Sequence, residues 1–354
     1  MSPISSTIDI HAPRSSSQRP TTRKYVIYFI TGNPGLIEYY RTFLAHLYGL
    51  TSQFASSISE TVEFHVHGRS LSGFEVDDGA GRVNNSGKLS NTTPPYGLQE
   101  QIDQTEQAIV ELVSTLRGNE TEKDLRVVLM GHSLGSWMVL EVIQRLRERA
   151  SSRPDNAIRV VGGVCLFATV ANLAQSSNGR KYSWLLDLPS FARLASLFVK
   201  SIFFFLPTSI LAMLIRLFMS FPADAARVTA AFLKSRHGVR QALHMAGDEM
   251  RMITSDRWDA EIWGAAHPSA HLHPRPKLRF LFGGEDHWVA NETRDDLIKA
   301  RGMNDTANEA WKPIMEVDEE HGWPHGFCIR HSVPVAERVS TYIEDIVRHD
   351  MQRE

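Results

Sequence analysis

The sequence predicts an α/β domain, a mostly parallel central sheet flanked by helices, that also carries a large apolar helical insertion. Three observations point there. Short apolar, β-branched runs alternate with segments of helical apolar spacing, the pattern of a parallel sheet covered on both faces. A glycine-flanked serine stands between one such run and a helix-like stretch in "VVLMGHSLGSWMVLEVIQRL", residues 127–146. Between Asn172 and about His273 the strand patterns stop, and only helical, strongly apolar sequence remains.

The 354 residues suit one such domain with insertions, and 42% hydrophobic against 22% charged residues can supply a large core. The formal net charge of −2 gives no reason to expect a nucleic-acid partner. Cys165 in "GVCLF" and Cys328 in "GFCIR" lie among apolar residues, so each is expected as a buried small hydrophobe rather than half of a bridge.

In chain order, residues 1–23 are rich in Ser, Thr and Pro and lack an apolar signal core. They are expected to form a flexible tail on an intracellular protein. "KYVIYFITG" (24–32) is a buried strand stopped by "NPG", and "LIEYYRTFLAHLYGL" after it has helical spacing. "VEFHVHG" (62–68) is the next strand. The polar, Gly/Asn/Ser-rich residues 77–95 are expected as a mobile surface loop. An amphipathic helix covers 98–116, a strand 126–130, and a helix runs from Ser133 to about Ala150. Residues 159–169, 277–284 and 312–318 are further strands, and 333–350 a closing helix. The core is thus expected in two parts, 24–172 and 274–354, around an insertion at 173–273.

A bare G-x-S-x-G arises by chance in about one chain in ten of this size. Its setting here is more specific. A nucleophile elbow needs a buried strand directly before the serine and a helix directly after it, with glycines where backbones pass too close for side chains. Residues 127–146 meet all three conditions, which makes Ser133 the candidate nucleophile and leaves His132 as a packing residue. A serine hydroxyl needs a base, and the base an orienting acid. "LRFLFGGEDHWV" ends a late strand and offers Asp286. Beyond the last strand lie His321, His325 and His331; His325 is the preferred base, His321 the second choice, and His331 a helix-start residue. The backbone N–H groups of Leu134 and Asn33 are the candidate oxyanion donors, because Pro34 has no N–H and the glycines of "ITGNPG" let the backbone approach. No metal-ligand spacing or phosphate loop is recognised, so no cofactor and no metal are expected.

"GNPGLIEYY" (32–40), "YGLQEQIDQ" (96–104), "GHSLGSWM" (131–138), "GGEDHWV" (283–289) and "HGF" (325–327) together resemble the lipid-droplet-associated serine hydrolases. The resemblance covers most of the chain from Lys24 onward. It implies an α/β-hydrolase fold, a place on lipid droplets or the cytosolic face of the endoplasmic reticulum, and hydrolysis of neutral lipid esters, with sterol esters as proposed substrates. Carried over residue by residue, it makes Ser133 the nucleophile, Asp286 the acid and His325 the base.

The stretch from Ser183 to Pro222 is interrupted by four charges, Asp187, Arg193, Lys200 and Arg216, and its longest uncharged run is 201–215. That run falls short of the roughly 20 residues a spanning helix needs. Pro207 in its middle predicts two short helices joined by a bend. Apolar side chains on every face call for burial in protein or in lipid, and a hairpin in one leaflet fits best. A helical lid and a membrane span are the alternatives. The function classes left open are a surface-bound lipid esterase, a droplet-associated structural protein with a weak or vestigial site, and a soluble esterase, thioesterase or acyltransferase of the same fold.

Overall fold

A computed structural model describes residues 4–12, 23–58, 62–76, 93–119, 124–263, 273–303 and 312–353. Most of the loop expected at 77–95, and residues 1–3 and 13–22 of the expected tail, lie outside the described residues.

Seven strands form one sheet: β1 (Thr7–His11), β2 (Arg23–Ile30), β3 (Val62–Arg69), β4 (Asp124–His132), β5 (Val160–Leu166), β6 (Lys277–Gly283) and β7 (Ile314–Asp318). Their order is β1-β3-β2-β4-β5-β6-β7, and every neighbouring pair is parallel except β1 with β3. Helices α1 (Arg41–Ser57), α2 (Leu98–Asn119) and α3 (Leu134–Ser152) connect the first strands. The insertion holds α4 (Ser177–Leu186), α5 (Phe191–Phe203), α6 (Thr208–Met219), α7 (Ala223–Lys234), α8 (Gly238–Met252) and the short α9 (Ala260–Trp263). Helices α10 (Asn291–Arg301) and α11 (Ser332–Gln352) complete the chain.

Alternate residues of β2 supply two different cores, as a strand buried on both faces must. Val26, Tyr28 and Ile30 pack with Leu98, Trp137 and Met138 of α2 and α3. Tyr25, Ile27 and Phe29 pack with Phe43 of α1 and Val339 and Ile343 of α11. The strand expected at 159–169 ends at Leu166, because Phe167 adopts φ +47 and turns the chain while its N–H donates to Leu281 O at 2.6 Å.

Strand β1 corrects the expectation of a flexible tail for residues 7–11. Its register with β3 runs from Thr7↔Arg69 to His11↔His65. Ile8 and Ile10 alternate onto the α1 face of the sheet, and Ile8 is fully buried there, which secures the strand.

Helices α5 and α6 meet at a bend of 102°, with Pro207 at the N-cap of α6, where its missing N–H costs the helix nothing. Among the described residues no single helix is long and apolar enough to cross a membrane. Burial divides the insertion. Leu211 and Ile215 of α6 pack on Ala226 and Ala230 of α7. Leu194, Phe198, Phe204, Phe205, Leu217 and Phe218 face outward, largely uncovered by the described residues.

Candidate active site

In a parallel sheet the C-terminal ends of the strands share one edge, so loops far apart in sequence meet there. Four such loops converge here, after β2, β4, β6 and β7.

The loop after β4 is a single residue. Ser133 joins the strand to α3 with φ +54 and ψ −122, a conformation that L side chains rarely adopt. The glycines on either side are steric requirements. A Cβ on Gly131 would lie 2.2 Å from Gly135 O, and one on Gly135 would lie 2.2 Å from Ile30 O. Neither neighbour is a movable side chain, so strand, turn and helix interlock through bare backbone. The Ser133 N–H donates to Leu166 O at 2.9 Å, which ties the turn to β5.

The loops after β6 and β7 bring the acid and the histidine to this turn. The His325 Nε2 lies 2.8 Å from Ser133 Oγ, and its Nδ1 lies 2.7 Å from Asp286 Oδ2. Burial opposes ionisation of Asp286, but the facing His325, its hydrogen bond and the Trp288 N–H outweigh burial and hold the carboxyl below the usual carboxylate range. An ionised Asp286 fixes the tautomer: Nδ1–H donates to the carboxylate, and Nε2 is free to accept from the serine hydroxyl. Phe167, Phe327 and Trp288 pack around this histidine and His132. The hydrogen-bonded row is therefore largely shielded from water, with the Asp286 side chain 3% and the His325 side chain 17% exposed.

The other candidate histidines lie elsewhere. His321 Nδ1 pairs with Asp318 Oδ1 at 2.9 Å, and its ring stacks on Trp323. His331 occupies the N-cap position of α11.

The loop after β2 passes directly against the serine. A Cβ on Gly32 would come within 3.0 Å of His132 O and Ser133 Cβ. This close approach brings the Gly32–Asn33 backbone against the Ser133 turn. The N–H of Leu134 belongs to the first turn of α3, where no carbonyl of the helix itself can accept it.

Two supporting contacts escape a reading of the sequence. His132 is more than packing. Its Nε2 lies 2.8 Å from His325 O and its Nδ1 2.7 Å from Tyr40 Oη, while Gly32 N–H donates to that same hydroxyl at 3.4 Å. Since Nε2 faces a carbonyl it must donate, and Nδ1 accepts from the tyrosine. Burial drives the His132 pKa down to about 3, so this neutral form persists. The ring thus braces the β2 loop to the loop that carries His325. Asn33 is the second case. Its Nδ2 donates to Ala242 O at 2.9 Å and to Glu249 Oε1 at 2.8 Å, which fastens the β2 loop to α8 of the insertion. Burial raises Glu249 to about 8, partly opposed by the Asn33 hydrogen bond. The only sequence signal for either contact is a polar residue in an apolar setting, and that does not name its partner. Cys165 and Cys328 are free thiols; Cys165 is buried and Cys328 partly so.

Known proteins resemble this chain in fold and in sequence. The chain is similar in fold to the peroxisomal α/β-hydrolase of Saccharomyces cerevisiae, with 13% identity, 96% of this chain and 88% of that one covered, and a TM-score of 0.55. It is likewise similar to the juvenile hormone epoxide hydrolase of the silkworm Bombyx mori, with 10% identity, coverage of 97% and 73%, and a TM-score of 0.54. These likenesses establish the α/β-hydrolase fold. In sequence it is 26% identical to the human lipid droplet-associated hydrolase over 335 residues, 93% of this chain and 87% of that protein. It is 22% identical to the Dictyostelium discoideum protein of the same name, with 93% and 90% covered. The profile described as lipid-droplet associated hydrolase matches residues 23–328. With that match spanning most of its length, the chain belongs to the lipid-droplet associated hydrolase family.

Proposed function

We propose that this hydrolase cleaves neutral lipid esters, sterol esters among them, through an acyl-enzyme on Ser133, with His325 as general base and Asp286 as its orienting acid. One observation carries the reading: a single imidazole bridges the Ser133 hydroxyl and the Asp286 carboxylate at 2.8 and 2.7 Å. Nε2 takes the hydroxyl proton as Oγ attacks the ester carbonyl, and the N–H groups of Leu134 and Asn33 receive the developing oxyanion. The imidazolium then protonates the departing alcohol. Water repeats the cycle on the acyl-enzyme and frees the fatty acid. No cofactor or metal takes part in this scheme.

The outward apolar face of α5 and α6, with Phe205 88% and Phe218 80% exposed, supports a site that works at a lipid surface. The segment from Ser183 to Pro222 would enter one leaflet as a bent hairpin. Arg193, Lys200 and Arg216 would reach headgroups at the droplet or the cytosolic face of the endoplasmic reticulum. Each large side chain moved from water into hydrocarbon contributes about 1.5–3 kcal/mol.

A fluorophosphonate probe should label the wild type and not Ser133→Ala, and the wild type should release fatty acid from an emulsified sterol ester. Equal labelling of the variant would refute the mechanism. Labelling without release from any lipid ester would instead favour a droplet-associated structural protein with a weak site, or another chemistry of the same fold.

A further inference from the structure

At the far edge of the sheet from β7, strand β1 carries Asp9 and His11 and strand β3 carries His65 and His67. Each pair is spaced i, i+2, so each lies on one face of its strand. The antiparallel register sets Asp9 opposite His67 and His11 opposite His65, which gathers all four side chains into one square on one face. Asp9 Oδ1 is 2.6 Å from His65 Nε2 and 2.8 Å from His67 Nδ1. His11 Nε2 lies 3.7 Å from Asp9 Oδ2, and its ring centroid is 5.0 Å from that of His65. One ligand atom from each of Asp9, His65 and His67 falls within 4.8 Å of the others.

We propose that Asp9, His11, His65 and His67 form a binding site for a borderline-soft divalent transition metal, with Zn²⁺ the best fit. The donor set decides the class. Three imidazoles and one carboxylate suit Zn²⁺, whereas Mg²⁺ and Ca²⁺ take oxygen ligands. Tetrahedral bonds of about 2.0–2.1 Å place neighbouring donor atoms roughly 3.3 Å apart. The present 2.6 and 2.8 Å contacts therefore need to open by roughly 0.5–0.7 Å, and His11 Nε2, now 3.7 Å from Asp9 Oδ2, needs to swing toward the other three donors, both by side-chain rotation. On binding, His65 Nε2 and His67 Nδ1 give up the protons they donate to Asp9 and present lone pairs, with each ring's proton moving to its other nitrogen.

The site is also held and open in the right places. His65 is almost fully buried, and His67 stacks on Tyr28 of β2 with ring centroids 5.5 Å apart. Asp9 and His11 are about half exposed, so an ion can enter from the edge. Four protein ligands close the coordination sphere, which marks a structural rather than a catalytic metal. It would pin β1 to β3 across the intervening chain, where a clip constrains the unfolded state most. Each dipeptide-spaced pair alone is unremarkable in the sequence; only the register unites them.

The test uses the full chain, treated with chelator and titrated with Co²⁺ as a spectroscopic stand-in. The expected result is one equivalent taken up, a visible absorption band of tetrahedral cobalt, and its displacement by Zn²⁺. Asp9→Asn and His67→Gln should each weaken uptake at least roughly tenfold, and metal should raise the unfolding temperature of each variant above its own value in chelator by less than it does for the wild type. His11→Gln, on an exposed side chain that risks no misfolding, should bleach the tetrahedral band. Absence of saturable uptake by the wild type, or uptake and band unchanged in His11→Gln, would overturn the site.

Discussion

Ser133 and Phe205 both sit in strongly apolar sequence, yet Ser133 is 8% exposed and Phe205 is 88% exposed. The difference lies in what surrounds each run. "VVLM" before the serine is hydrogen-bonded to strands on both sides and covered by helices on both faces. "FFFLP" at the junction of α5 and α6 rests on the insertion through Phe203, while Phe204 and Phe205 are left exposed by the described residues. Apolar content alone therefore does not locate a core. A core needs neighbours, and an apolar face without them marks a surface that meets another phase or partner. Within the insertion the same division recurs on a smaller scale: α8 turns inward to hold Asn33, while α5 and α6 turn outward.

Four variants would break or sharpen that contrast. The largest effect belongs to the buried side. Asp286→Asn should leave the serine in place but deprive His325 of its orienting partner, lowering kcat for a soluble short-chain ester by about 10⁴-fold. A loss under roughly tenfold would mean that the orienting acid lies elsewhere. On the exposed side, Phe205→Glu combined with Phe218→Glu should cut partitioning onto phospholipid-coated droplets by about 100-fold or more, with probe labelling of Ser133 unchanged. Undiminished flotation with droplets would remove the hairpin as anchor.

Glu249→Gln probes the inward half of the insertion. With a folded pKa near 8 against an ordinary value of 4.5, the native chain keeps a proton that the unfolded chain loses as pH rises between those values. Stability carried by this group is therefore full below pH 4.5 and declines up to about pH 8. Glutamine still accepts from Asn33 and does not titrate, so its gain should be close to nil at pH 4.5 and grow to a few kcal/mol by about pH 8, read from urea midpoints. A gain that does not depend on pH would discard the titration argument. The smallest effect is expected from His321→Ala. Its surface pairing with Asp318 is remote from the reaction, so activity should stay within about twofold and stability within about 1 kcal/mol. Loss of activity would transfer the base role from His325 to His321.

Much of this architecture was legible in the sequence, because period and punctuation are local signals. The strand before Ser133, the helix after it, and the two glycines each occupy a few adjacent residues. The chain order Ser, Asp, His then narrowed the partners, and the structure does bring Ser133, Asp286 and His325 together. What stayed hidden depends on pairing at a distance. β1 has only two apolar residues, too few to read as a strand until β3 lies beside it. The brace from Tyr40 through His132 to His325 O spans three separate elements. The contact of Asn33 with Glu249 joins residues 216 apart. In each case the residue types were visible and the geometry that gives them a task was not.

The positive φ of Ser133 carries an evolutionary consequence. Glycine would occupy that dihedral pair without penalty, so a population of variants screened for heat tolerance alone should drift toward Gly at position 133 and away from turnover. Persistence of serine there under such a screen would reveal selection for the hydroxyl itself.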